Sequence, residues 1–145
     1  MSIKDDIVRV EHADSSVRAA GLRNLAFRLS IVRRNIGRAS GAALEYSEFV
    51  RYVTPVAVAI VSALGREQLM NRVLAVQVLG GLPSKAVFSV VVSALTDPDG
   101  LLGRVAYVAL FRLSADVCAF KAHRLIRRAY KSAARSGSDF VSLLE

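Results

Sequence analysis

NRVLAVQVLGGLPSKAVFSVVVSALTDPDGLLGRVAYVALFRLSAD, residues 71–116, decides how the rest of the chain is read. An arginine-led apolar segment (72–82) meets a turn at Pro83, and a second apolar segment follows (84–95). Thr-Asp-Pro-Asp-Gly then separates it from another arginine-led segment that opens at Arg104. Arg72 and Arg104 stand 32 residues apart, and similar apolar, alanine-rich spacing follows each. A period of that size fits a helix–turn–helix unit repeated along a helical solenoid. The run Val90-Val91-Val92 is β-branched, but no partner strand is spaced for a hairpin, so the segment is expected to be helical.

Caps and breakers extend the pattern outward. Asp14-Ser15-Ser16 supplies short side-chain acceptors for free amides and starts a helix that runs to Arg34. Leu22, Leu25, Leu29 and Val32 recur at three and four residues and form its apolar stripe, with Arg23 and Arg34 on the far side. Residues 35–43 hold two glycines and read as a loop, and the next helix is expected near Ser47. Pro55 removes an amide and crowds the preceding turn, so a kink or break is expected there. Further helices are expected over 66–79, over 84–95 with Ser84 as cap, and from Asp97-Pro98 to Leu113. Ser114 is expected to cap a last long helix from Asp116 to Ser136, ended by Gly137. Residues 138–145 form a short apolar tail (Phe140, Val141, Leu143, Leu144) that must dock or mediate assembly. The expectation is one all-α domain over 1–145, with antiparallel helix pairs in a short solenoid or an irregular bundle of about seven helices.

Totals bound the function. Hydrophobic residues make up 53% and mean hydropathy is +0.39, which alanine-, valine- and leucine-rich helices account for. The longest charge-free apolar run, 52–64, is too short to span a bilayer, so a membrane span is not expected. The first ten residues carry Lys4, Asp5, Asp6 and Arg9 and do not form a signal peptide. A single cysteine, Cys118, allows no internal disulfide and permits a reducing, cytoplasmic or otherwise intracellular setting. Its apolar neighbours mark it as a buried thiol. His12 and His123 are far apart, and no metal-binding, Walker or nucleophile-elbow motif occurs. The chain is therefore expected to be no enzyme and to hold no metal or cofactor.

Net charge is +8, and sixteen of the twenty basic residues are arginine, whose planar fork matches phosphate and carboxylate. Two segments are basic with no acid in them. Residues 15–44 carry Arg18, Arg23, Arg28, Arg33, Arg34 and Arg38, and residues 117–138 carry Lys121, Arg124, Arg127, Arg128, Lys131 and Arg135. In the second, Lys121, Arg124, Arg128, Lys131 and Arg135 step by three and four, and a helix would align them in one row with Arg127 beside it. Such a row tracks phosphates. The expected nucleic-acid contacts are Lys121, Arg124, Arg127, Arg128, Lys131 and Arg135, together with Arg23, Arg33, Arg34 and Arg38. Arg18 lies within its helix's apolar stripe and is given a structural hydrogen-bonding role.

The chain resembles the HEAT family, in particular its short-repeat branch. The resemblance rests on Asp14 with Val17-Arg18, on Asn71-Arg72 before Leu-Ala-Val-Gln-Val-Leu-Gly, and on Asp97-Pro98-Asp99 before Arg104 and Val-Ala-Tyr-Val-Ala-Leu. It covers residues 14–116 unevenly, and Asn71 and Gly103 stand where the family has valine. The resemblance implies an α-solenoid that binds partners rather than transforms them. The expected function is a binding module on nucleic-acid backbone, RNA or DNA, of nucleocapsid-like or chromosome-associated type. The alternatives are a scaffold docking an acidic protein surface, a self-assembling homo-oligomeric subunit, and peripheral attachment to anionic membrane through the last helix.

Overall fold

The computed structural model describes residues 2–63, 67–82 and 84–116, and all secondary structure within them is helical. The helices are α1 (Ile3–Val10), α2 (Ser15–Asn35), α3 (Ala42–Glu48), α4 (Thr54–Val61), α5 (Leu69–Leu79), α6 (Lys85–Leu95) and α7 (Gly100–Asp116), with a π turn at Phe49–Val53 between α3 and α4. The chain divides into two compact units, one up to Val78 and one from Leu79 onward.

In the first unit α1 packs along α2. The stripe expected from the spacing is the buried face of α2: Leu22, Leu25, Leu29 and Val32 are at most 4% exposed. Each such side chain contributes roughly 1.5–3 kcal/mol by leaving water. Ile3 and Val10 of α1, and Phe49, Val53, Ala57, Ile60 and Val61 further on, are also buried. Asp14 caps α2 as expected, its Oδ1 accepting from the Ser16 amide at 2.8 Å and the Ser16 hydroxyl at 2.7 Å. The Ser16 hydroxyl, then its amide, holds the Asp14 carboxyl below its ordinary range.

In the first unit three boundaries differ from the sequence reading, two for local reasons and the third through a distant contact. The helix expected near Ser47 begins at Ala42, because Gly41 at φ 85 turns the chain directly into Ala-Ala-Leu-Glu, a run of good helix formers. At Pro55 the hydrogen-bond ladder is reset rather than cut. The π turn precedes it, the Thr54 amide donates to the Phe49 carbonyl, and Pro55 sits in the first turn of α4, where its missing amide is least needed. The helix expected from Arg66 starts at Leu69, because the Glu67 carboxylate is engaged outside the helix, accepting from the Gln68 amide at 2.8 Å and from Arg18.

In the second unit α6 packs on α7. Ser84 caps α6 as expected, its hydroxyl accepting from the Val87 amide at 3.1 Å. The valine run is helical, with Val87, Val91, Ala94 and Leu95 buried. α7 starts at Gly100, later than Asp97-Pro98 suggests: Asp99 is its cap, with Oδ1 accepting from the Leu101 amide at 3.0 Å, while Asp97 Oδ1 accepts from the Asp99 amide at 2.9 Å and holds the turn with Pro98 outside the helix. Leu102, Ala106, Ala109, Leu110 and Leu113 form the inner face of α7. This helix continues through Ser114 to Asp116. Ser114 is thus not a cap: no glycine or proline interrupts the helical backbone between Gly103 and Asp116, and a capping residue must leave helical dihedrals.

Gly103 lies within α7, and among the described residues a Cβ built there would meet only the Leu95 carbonyl oxygen, at 3.5 Å, an ordinary contact. Gly103→Ala is therefore expected to stabilise the protein by about 0.5–1 kcal/mol, through helix propensity and a less free unfolded chain. Urea denaturation of the two proteins side by side checks the sign.

Candidate nucleic-acid interface

The first basic segment folds into α2 and the loop after it, and the structure sorts its arginines by environment. Arg23 and Arg34 are exposed on α2, and Arg38 is exposed in the loop that leads to α3. Arg33 is half-buried and engaged within the fold. Arg18 and Arg28 are paired with acids from distant parts of the chain. Arg28 Nη2 lies 3.7 Å from Asp6 Oδ2, and Asp6, 1% exposed, also takes Arg9 Nη1 at 3.5 Å and a hydrogen bond from Asn24 Nδ2 at 3.3 Å. A segment free of acids in sequence therefore meets acids in space, among the described residues, at Arg18 and Arg28.

Arg18 has the structural role expected of it. It donates from Nε and Nη2 to Glu67 at 2.7 and 2.9 Å, and from Nη1 to the carbonyls of His12 and Ala13 at 2.8 and 2.7 Å. Asn71 Nδ2 completes the group, reaching Glu67 and the Ser15 carbonyl, both at 3.0 Å. The hydrogen bonds to Glu67 raise Arg18 above its ordinary range. Burial pushes the Glu67 carboxyl up, but the bonds from Arg18, Asn71 and the Gln68 amide outweigh it and hold it below the usual glutamate range. Arg72, which sequence spacing pairs with Arg104, is buried and donates to the Val61 carbonyl at 3.1 Å, whereas Arg104 is exposed.

What remains outward on α2 is one face. Arg23, Phe27, Ser30 and Arg34 follow one another at four, three and four residues, and all four are exposed. Helix geometry sets Arg23 and Arg34 about 16 Å apart along the axis. Phe27 between them is 68% exposed, and Ile31 beside it is 38% exposed. The Ser30 hydroxyl is turned back onto the Phe27 carbonyl at 2.7 Å, and Arg34 Nε lies 3.4 Å from the Ser30 carbonyl. No aspartate or glutamate occurs in the helix. Phe27 was absent from the expected contacts, yet the signal was available: it falls off the stripe Leu22-Leu25-Leu29-Val32 and one turn from Arg23.

The other expected contacts, Lys121, Arg124, Arg127, Arg128, Lys131 and Arg135, lie outside the described residues, as do Cys118, His123 and the tail over 138–145. His12 Nδ1 accepts from the Asp14 amide at 3.0 Å and serves the turn into α2. Among the described residues no group of three His, Cys, Asp or Glu side chains could hold a metal ion, and no helix is long and apolar enough to cross a membrane. Comparison with protein-family models, curated proteins and solved structures found no match.

Proposed function

We propose that this protein is a non-enzymatic helical binding module that engages nucleic-acid backbone through arginine-rich helices, in an intracellular setting of nucleocapsid-like or chromosome-associated kind. The observation that carries the reading is the outward face of α2. Arg23 and Arg34 are exposed in line on a helix that contains no acid, and Arg38 is exposed just beyond its end. A net charge of +8 adds long-range attraction for a polyanion. The row Lys121, Arg124, Arg128, Lys131 and Arg135, with Arg127 beside it, is by its sequence spacing a second candidate phosphate contact in its own right. In this reading the helix pairing seen within each unit, α1 on α2 and α6 on α7, is of the kind a HEAT-like protein is built from.

The test is fluorescence anisotropy with labelled DNA and RNA oligonucleotides over a salt series. Affinity is expected to fall steeply with salt and to depend little on base sequence. Arg23→Ala with Arg34→Ala should weaken all oligonucleotides together and flatten the salt slope by about two, one per lost phosphate contact. No binding by the unaltered protein at low salt would defeat this reading in favour of the second, a scaffold for an acidic protein or for another copy of itself. That second reading is supported by large apolar side chains at the surface, Val8 at 67% and Leu44 at 69% exposed.

A further inference from the structure

We infer that the outward face of α2 takes single-stranded rather than duplex nucleic acid, with an unpaired base stacked on Phe27 between backbone phosphates held by Arg23 and Arg34. The inference rests on the nucleic-acid reading above and adds the form of the ligand. Phe27 is among the most exposed large apolar side chains of the described chain, at 68%, and it sits midway along the face whose ends are arginines. A phenyl ring in that position is matched by a ligand that presents phosphates and an aromatic plane within one short stretch. A single strand does so, because its bases can turn out and lay their faces on an aromatic side chain. In a duplex those faces are covered by neighbouring bases, and the ring would meet only backbone or groove edges.

Two polar side chains near Phe27 in the helix each spend a donor locally. The Ser30 hydroxyl bonds the Phe27 carbonyl, and Asn24 bonds Asp6. What the face offers is therefore charge and a stacking surface, with few groups free to read base edges. Contact of this kind is tolerant of sequence, since every base has a π face.

An anionic membrane also attracts arginine and phenylalanine together, but helices that lie in a bilayer interface bury a broad apolar face there. The broad apolar face of α2 is Leu22, Leu25, Leu29 and Val32, and it is already in the protein core. Of the large apolar side chains of α2, only Phe27 and Ile31 are exposed, Ile31 at 38%.

The protein contains no tryptophan, so Phe27→Trp in the full chain places a single indole reporter at the proposed stacking point. Titration with a twelve-nucleotide single strand should quench its emission, and the same sequence as a blunt duplex should not. In parallel, Phe27→Leu should weaken the single strand by about ten- to a hundredfold, with the duplex little changed and the salt slope unaltered, because no phosphate contact is lost. Equal effects on strand and duplex, or no effect of Phe27→Leu while Arg23→Ala with Arg34→Ala still weakens binding, would overturn the stacking inference and leave the backbone reading standing. No binding of the unaltered protein to either form defeats both. Binding to phosphatidylserine vesicles that is lost in Phe27→Leu, with no preference between strand and duplex, replaces the inference by a membrane contact.

Discussion

Replacing Glu67 with alanine is expected to cost about 2–3 kcal/mol, because it takes the carboxylate from a partly buried guanidinium. The two side chains are 5% and 16% exposed, and the pair is bidentate. Arg18 would keep the His12 and Ala13 carbonyls but lose its only carboxylate in the described structure, and Asn71 would lose one of its two acceptors. The midpoint of thermal unfolding should fall by about 10 °C for a chain of this size. Glu67→Gln, which keeps an acceptor but no charge, should fall between the two. The same pair makes stability depend on pH in a defined direction. The Glu67 carboxyl is held below its unfolded value, so its contribution is complete above the ordinary glutamate range and is lost as pH falls through the lowered folded value. The unaltered protein should therefore lose stability in acid more steeply than Glu67→Gln below about pH 4. Parallel acid-unfolding curves for the two would show that the carboxylate carries no charge-dependent stability.

How far the fold was legible follows the range of the forces involved. The buried stripe of α2, its Asp14 cap and the Ser84 cap are set by neighbours within a turn or two, and spacing alone exposes them, whereas the helical state of Val90–Val92 follows from the lack of a partner strand. The π turn before Pro55 is a local answer to a missing amide, but several answers to that loss exist, so only a disturbance could be foreseen. Glu67 was invisible as the partner of Arg18 because 49 residues separate them, and Asp6 was hidden from Arg28 for the same reason. These two acids also change the candidate site. Counting charges along residues 15–44 gives six arginines in an acid-free segment, whereas only Arg23, Arg34 and Arg38 are exposed to meet a ligand. The outward placement of Arg23 and Arg34 is legible from period, and so is that of Phe27, which carries no charge to mark it.

Gly21 carries a second large effect, and local propensity gives it the wrong sign. In an isolated helix, Gly21→Ala would add about 1 kcal/mol of stability. In the folded protein, a Cβ at Gly21 would lie 2.8 Å from the Asp6 carbonyl oxygen, 2.9 Å from Arg9 Cβ and 2.9 Å from Val10 Cγ2. Two of these atoms are fixed by the α1 backbone, so no rotamer change relieves the contact, and α1 as a whole must move away from α2. An eight-residue helix has little stability without that packing. Its displacement also removes the burial of Ile3 and Val10 and separates Asp6 from Arg28 and Asn24. The expected net loss is about 2–4 kcal/mol, from overpacking and apolar re-exposure set against the helix gain. Amide exchange locates it: the amides of Ile7 to Val10 should lose protection in Gly21→Ala before those of α2 do. Gly103→Ala makes the same chemical change in a helix where the added methyl has room, so the two variants should shift stability in opposite directions. A gain in both would mean that α1 and α2 do not approach at Gly21 as described, and it would release Asp6 from the account of why Arg28 is withheld from the basic face.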